Sequence, residues 1–173
     1  MNLWFRVLRV IVLALLRSRL RLTDESRLGF RVWPTDLDLN VHMNNARYLS
    51  LMDLGRLDMI LRSGMGRLVW RDKLQPVIAG ALVRFRRPLK PFEKIHLRSR
   101  LLAWDDKWMF IEHRLECGDV LACHAVVKAM LVAKSGGVAP AELARQLNQS
   151  PQSPPLPEWL APWLAAETML SKA

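Results

Sequence analysis

A chain of 173 residues that is 51% hydrophobic is long enough for one domain with a real core and too apolar to remain disordered. Its 26 basic against 16 acidic residues leave a net charge of +10, which raises the question of an anionic partner, yet no zinc-finger spacing or RNP-type aromatic motif supports nucleic acid. Cys117 and Cys123 make no disulfide framework and match no zinc pattern, which points to a reducing, cytoplasmic compartment. The first 22 residues, MNLWFRVLRVIVLALLRSRLRL, carry Arg6, Arg9, Arg17, Arg19 and Arg21 before any acid occurs. The apolar run from Leu3 to Leu16 is shorter than the roughly 20 residues that cross a bilayer. It has no small-residue cleavage site of the kind that follows a signal peptide. As a helix it places Leu3, Val7, Ile11 and Ala14 beside an Arg6–Arg9 face. It can lie peripherally at the inner face of a membrane, arginines toward lipid phosphates, or pack on its own domain.

Arg27 to Trp33 reads as a strand, stopped by Pro34. The polar stretch TDLDLNVHMNNARY (Thr35 to Tyr48) follows, and from Asn45 to Arg62 the apolar positions recur at helical spacing. Asn44 or Asn45 is the N-cap, and Gly64 lies past the end. Beyond a linker ending in Pro76 come four strand-like runs: VIAGALVRFRR, EKIHLRSRLLAW, KWMFIEHRLEC and VLACHAVVKAMLVA. The turn signals DDK and CGD make the last three antiparallel neighbours. A short helix over Ala139 to Leu147, a proline-rich connector and a docking amphipathic tail close the chain. The expected organisation is an arm over 1–22, a domain over 23–138 and an extension over 139–173. One long helix buries such a sheet only if the sheet curls around it, which predicts an α+β hot-dog fold.

The residues DLDLNVHMNNARY, with Asp53 and Arg56 on the helix after them, resemble the signature of hot-dog acyl-CoA and acyl-ACP thioesterases, the 4-hydroxybenzoyl-CoA thioesterase-like superfamily. MNNARYL, RRPLKPF and LLAWDDK are similar to its thioesterase superfamily member 6 branch, and the likeness covers about Leu28 to Ala133. The resemblance implies hydrolysis of acyl thioesters on coenzyme A or acyl carrier protein, no cofactor, and a homodimer or higher even oligomer. It puts the catalytic carboxylate at Asp38 and further catalytic polar groups at Asn40 and His42. Val41 replaces the usual glycine, and Asp53 is one methylene shorter than the usual glutamate. These departures keep open an acyl-binding or scaffold protein of the same fold with weak or no activity.

Thioester hydrolysis needs a nucleophile or base and a donor to the oxyanion. Asp38 fills the first role, by activating water or attacking directly. A backbone N–H at the helix start, near Asn45, fills the second, because free amides and the helix dipole converge there. His42 orients a water or assists the leaving thiolate, or else is tied to the loop backbone. Asn44 and Tyr48 are expected on the substrate side. Arg84, Arg86 and Arg87 are candidates for the phosphates of coenzyme A or the phosphopantetheine arm. Asp36 reads as a turn former, and Asp53 as an ion-pair partner of Arg56 or Arg47. His96, His113 and His124 fall on separate strands without ligand spacing, so no metal site is expected.

Overall fold

The computed structural model describes residues 3–170; Met1 and Asn2 of the arm and Ser171 to Ala173 of the extension lie outside the described residues. Helix α1 (Leu3–Leu16) buries Arg6, Val10 and Ala14, four residues apart and therefore on one stripe, against the domain. The chain then enters strand β1 (Ser26–Arg31), where Ser26, Leu28 and Phe30 point inward and alternate with exposed residues. A single 3-10 turn, Pro34–Asp36, precedes the polar loop. Helix α2 (Asn45–Arg62) has the bounds its apolar periodicity predicts, with Asn44 as N-cap accepting a bond from the Ala46 N–H at 2.8 Å. Its buried stripe includes Tyr48, Leu51, Met52, Gly55, Asp58 and Arg62.

Gly64, with φ +83°, turns the chain into helix α3 (Met65–Arg71), where the sequence reading expects only a linker. Strand β2 (Gln75–Phe85) begins before Pro76 rather than after it. Strands β3 (Lys94–Trp104), β4 (Met109–Cys117) and β5 (Val120–Ala133) form the antiparallel run that the turn signals predict. The sheet order is β1-β3-β4-β5-β2, and a short strand β6 (Gly136–Val138) pairs with the end of β5.

The sheet curls around α2, as expected of a hot dog. Gly55 sits where the helix crosses β3, and a Cβ there would stand 2.3 Å from Ser99 Oγ and 3.0 Å from Leu97 Cδ2. Only glycine permits this approach. Leu97 and Leu115 face the helix in the main core, which also takes Val10 from α1 and Phe30 from β1. A second cluster takes Met65 and Leu68 from α3 and Leu143 and Ala144 from helix α4 (Pro140–Gln146). On the other face of the sheet, fully buried Leu160 packs with Ala103, Phe110 and Val126. Leu160 ends the 3-10 turn before helix α5 (Ala161–Leu170), so the C-terminal tail docks on the sheet. Among the described residues no helix is long and apolar enough to cross a membrane.

The arm is oriented differently from the amphipathic picture. Its arginines turn toward the domain: Arg6 is 2% exposed, Arg9 donates to the Gly29 carbonyl at 3.0 Å, and Arg17 donates to the Arg27 carbonyl at 2.9 Å. Ala14, expected on a lipid-facing side, is buried instead. The outward face is a second apolar stripe of Trp4, Phe5, Leu8, Val12, Leu15 and Leu16, all exposed.

Candidate active site

The loop before α2 is built on Asp36, which the sequence reading treats as a turn former. It does accept the Trp33 N–H at 2.9 Å. It is also 2% exposed and receives both terminal nitrogens of Arg6, Nη1 at 3.1 Å and Nη2 at 2.5 Å. Its carbonyl accepts the N–H of Asn44 at 2.8 Å. Arg47, a possible partner of Asp53 on sequence grounds, approaches Asp36 at 3.9 Å and donates to the Thr35 carbonyl.

Asp38 is half-buried on the tight turn that follows. Its Oδ1 accepts from the Asn40 N–H at 2.9 Å and the His42 N–H at 3.4 Å, while its own N–H donates to the His42 carbonyl at 2.9 Å. Among the described residues Oδ2 has no protein donor. The loop thus gathers Asp38, Asn40 and His42, through backbone bonds rather than a side-chain relay. Val41 adopts φ +60°, the left-handed conformation that suits the glycine it replaces. A β-branched residue there costs about 1–2 kcal/mol, of which glycine's greater unfolded-state entropy returns about 0.5–1 kcal/mol. Val41→Gly is therefore expected to raise the midpoint of thermal unfolding by about 2–3 °C.

At the helix start Asn44 is the cap, and its carbonyl accepts the Arg47 N–H at 2.8 Å. The Asn45 N–H remains without a protein acceptor among the described residues. Tyr48, expected on the substrate side, is 2% exposed and meets the Phe85 ring edge-on at 5.1 Å. Burial pushes its phenol up to about 12. Arg84 and Arg86 are exposed at the end of β2. Arg87 is instead paired with Glu93 at 2.5 Å.

A chamber of about 270 Å³ lies farther along α2, between its second half and the sheet. Met59, Met65, Met109 and Met130 line it, with Leu101 and Ile111, and Asp53 and Arg56 border it. At about 1.5 Å per helical residue, Asp53 is about 12 Å along the axis from Asn45, so one chain does not bring the Asp38 loop and the chamber together. Asp53 pairs with Arg56, the first of the two partners its sequence position suggests.

Arg56 continues inward to a residue that sequence reasoning missed. Its Nη1 lies 2.9 Å from Nε2 of fully buried His113, whose Nδ1 lies 2.8 Å from Ser99 Oγ. A guanidinium only donates, so Nε2 accepts, Nδ1 carries the proton, and Ser99 Oγ receives it. His113 therefore cannot act as a base toward Ser99; it anchors Arg56. Burial, reinforced by the Arg56 charge, holds the His113 pKa well below 6.5. The unfolded chain takes up this proton near pH 6.5 and the folded chain does not, so stability is full above that pH and declines as pH falls. His113→Gln, which keeps an acceptor for Arg56 and a donor for Ser99, is expected to flatten the decline in urea-unfolding midpoint from about pH 6.5 to 5.

The thioesterase-like superfamily model matches residues 32–164. The protein THEM6 of Xenopus laevis is 31% identical over 173 residues, 95% of this chain and 80% of that protein. A probable thioesterase of Saccharomyces cerevisiae is 28% identical over 102 residues, 57% of this chain and 44% of its own length. Among solved structures, the probable thioesterase YbaW of Escherichia coli superposes with a TM-score of 0.65 at 19% identity, over 71% of this chain and 96% of that one. The motif around Asp38, the curled sheet on α2 and a match running from just after β1 into the C-terminal tail agree: the chain belongs to the thioesterase-like superfamily.

Proposed function

We propose that the protein hydrolyses lipophilic acyl thioesters to free acid and thiol. The observation that carries this reading is the half-buried Asp38 carboxylate, its Oδ2 without a protein donor among the described residues, on a loop that leads directly to the Asn45 N–H. Asp38 acts on the thioester carbonyl through a water it deprotonates, or directly, and the Asn45 N–H at the positive end of α2 receives the oxyanion. His42, four residues on, serves the leaving thiolate. The methionine-lined chamber suits a flexible acyl chain, since thioether side chains adapt to irregular apolar ligands. The exposure of Arg84 and Arg86 supports their assignment to phosphates of coenzyme A or a phosphopantetheine arm.

A second copy completes this site in our reading. β2 is an edge strand with Val77, Ile78, Leu82 and Phe85 exposed, and such an edge invites pairing. Pro76 and Ile78 of the same strand border the chamber, so a copy paired there brings its own helix start toward it. A dimer is expected in sedimentation at micromolar concentration; monomer alone would overturn the shared site. The outward apolar stripe of α1 supports peripheral contact with a membrane. The second reading, an acyl-binding protein without turnover, draws on strained Val41 and on the engagement of Asp53 by Arg56. Hydrolysis of acyl-CoAs from acetyl to stearoyl, beside binding of the same series, decides: binding without release of thiol favours the second reading.

A further inference from the structure

We infer that Arg6, on the N-terminal helix, is a positioning residue for the Asp38 loop, which makes α1 part of the framework of the active site. The inference rests on the reading of Asp38 as the reacting carboxylate. Arg6 is 2% exposed, and its guanidinium lies 6.0 Å from the centre of the Phe30 ring. Its guanidinium reaches two separate segments: Nη2 donates to the Arg31 carbonyl at the end of β1 at 3.0 Å, and Nη1 and Nη2 both donate to Asp36. Its Nε is buried and has no partner among the described residues. The residue is held where its fork serves the loop, although that leaves one of its own donors unsatisfied.

Asp36 passes this constraint to both ends of the loop. The carboxylate fixes the Trp33 N–H ahead of the 3-10 turn, and the carbonyl fixes the N–H of Asn44, the cap of α2. Asp38 lies two residues after Asp36, and the open Asn45 N–H follows Asn44 directly. One buried guanidinium thereby sets the distance between the reacting carboxylate and the oxyanion donor. Arg47, the other cation near Asp36, is 37% exposed and 3.9 Å away, too loosely placed to substitute. Replacing a buried ion pair by apolar residues of similar volume is often neutral for stability, so stability alone does not demand this arrangement.

The test uses full-length protein and decanoyl-CoA. Arg6→Lys keeps the charge but loses the fork, and the double variant Arg6→Met with Asp36→Leu removes the pair without stranding a charge. At temperatures where unfolding curves show each variant fully folded, kcat is expected to fall about 10-fold in the lysine variant and about 100-fold in the double variant. KM should stay within about twofold, because the chamber and Arg84 and Arg86 are untouched. A lowered unfolding midpoint with wild-type kcat would mean a purely structural role and overturn the inference. Should the double variant fail to fold, Arg6→Lys decides by the same criterion. Asp38→Asn is run alongside: inactive Asp38→Asn with fully active Arg6 variants overturns this inference alone. Wild-type turnover in Asp38→Asn, or no turnover by the wild type itself, removes the functional reading and this inference with it.

Discussion

Asp38→Asn is expected to lower acyl-CoA turnover at least about 100-fold while leaving the fold unchanged. The substitution keeps an acceptor at Oδ1 for the Asn40 and His42 amides, so the turn that shapes the loop survives. What is lost is the negative oxygen that can take a proton from water or attack a carbonyl. An amide does neither, whereas the Asn45 N–H and the chamber remain, so substrate affinity should change little. His42→Ala should cost less, since its backbone rather than its ring holds the loop together. The measurement is steady-state release of free thiol from decanoyl-CoA, with circular dichroism to verify folding. Undiminished turnover in Asp38→Asn would move the site elsewhere, with the Asp53–Arg56 border of the chamber the first place to look.

Removing residues 1–22 is expected to destabilise the protein severely, as the second of the two sequence readings of the arm, a helix packed on its own domain, requires. Read as a detachable amphipathic arm, the segment could be deleted to release soluble protein that still hydrolyses short acyl-CoAs. In the folded chain the deletion strands Asp36, 2% exposed, without its guanidinium, and breaking a buried pair from one side costs about 3–5 kcal/mol. It also uncovers the part of the main core that Val10 occupies. Farther along, Arg62 loses the Ser18 carbonyl it binds at 2.9 Å, which weakens the buried Ser26–Asp58–Arg62 group. Against a total stability of about 5–15 kcal/mol, these losses bring the domain close to unfolding. The expected result is aggregation, or a drop in unfolding midpoint of more than about 10 °C with loss of hydrolysis. A truncated protein that melts and turns over like the full chain would refute it. Flotation of full-length protein with anionic liposomes addresses the separate question of membrane contact: protein left at the bottom of the gradient would leave the outward stripe of Trp4, Phe5 and Leu8 to some other contact.

Local rules carried much of the architecture. Asn45–Arg62 was legible as a helix because its buried stripe repeats every three or four residues and begins after a capping asparagine. The antiparallel run β3-β4-β5 was legible because short turn signals join its strands. Helix α3 was not, because seven residues present too little periodicity to stand out and its burial depends on α4. The polar loop could be located by its composition, and Asp38, Asn40 and His42 do lie together on it, since residues this close in sequence share one turn. Tyr48 follows the same motif but lies one helical turn inside, where burial belongs to the packing and not to the local pattern. The buried polar pairs beside the loop and the chamber join distant positions: Arg6 with Asp36 across 30 residues, and Arg56 with His113 across 57. No periodicity or spacing links such residues, because what brings them into contact is the wrapping of the sheet around α2 and the docking of α1 on its start. Local patterning settles which residues form the helix, the strands and the polar loop, since these depend on neighbours a few positions away. Which arginine is buried, which histidine is neutral and which face of the arm is left outward were decided only when the elements packed, because burial and charge pairing are properties of the assembled core.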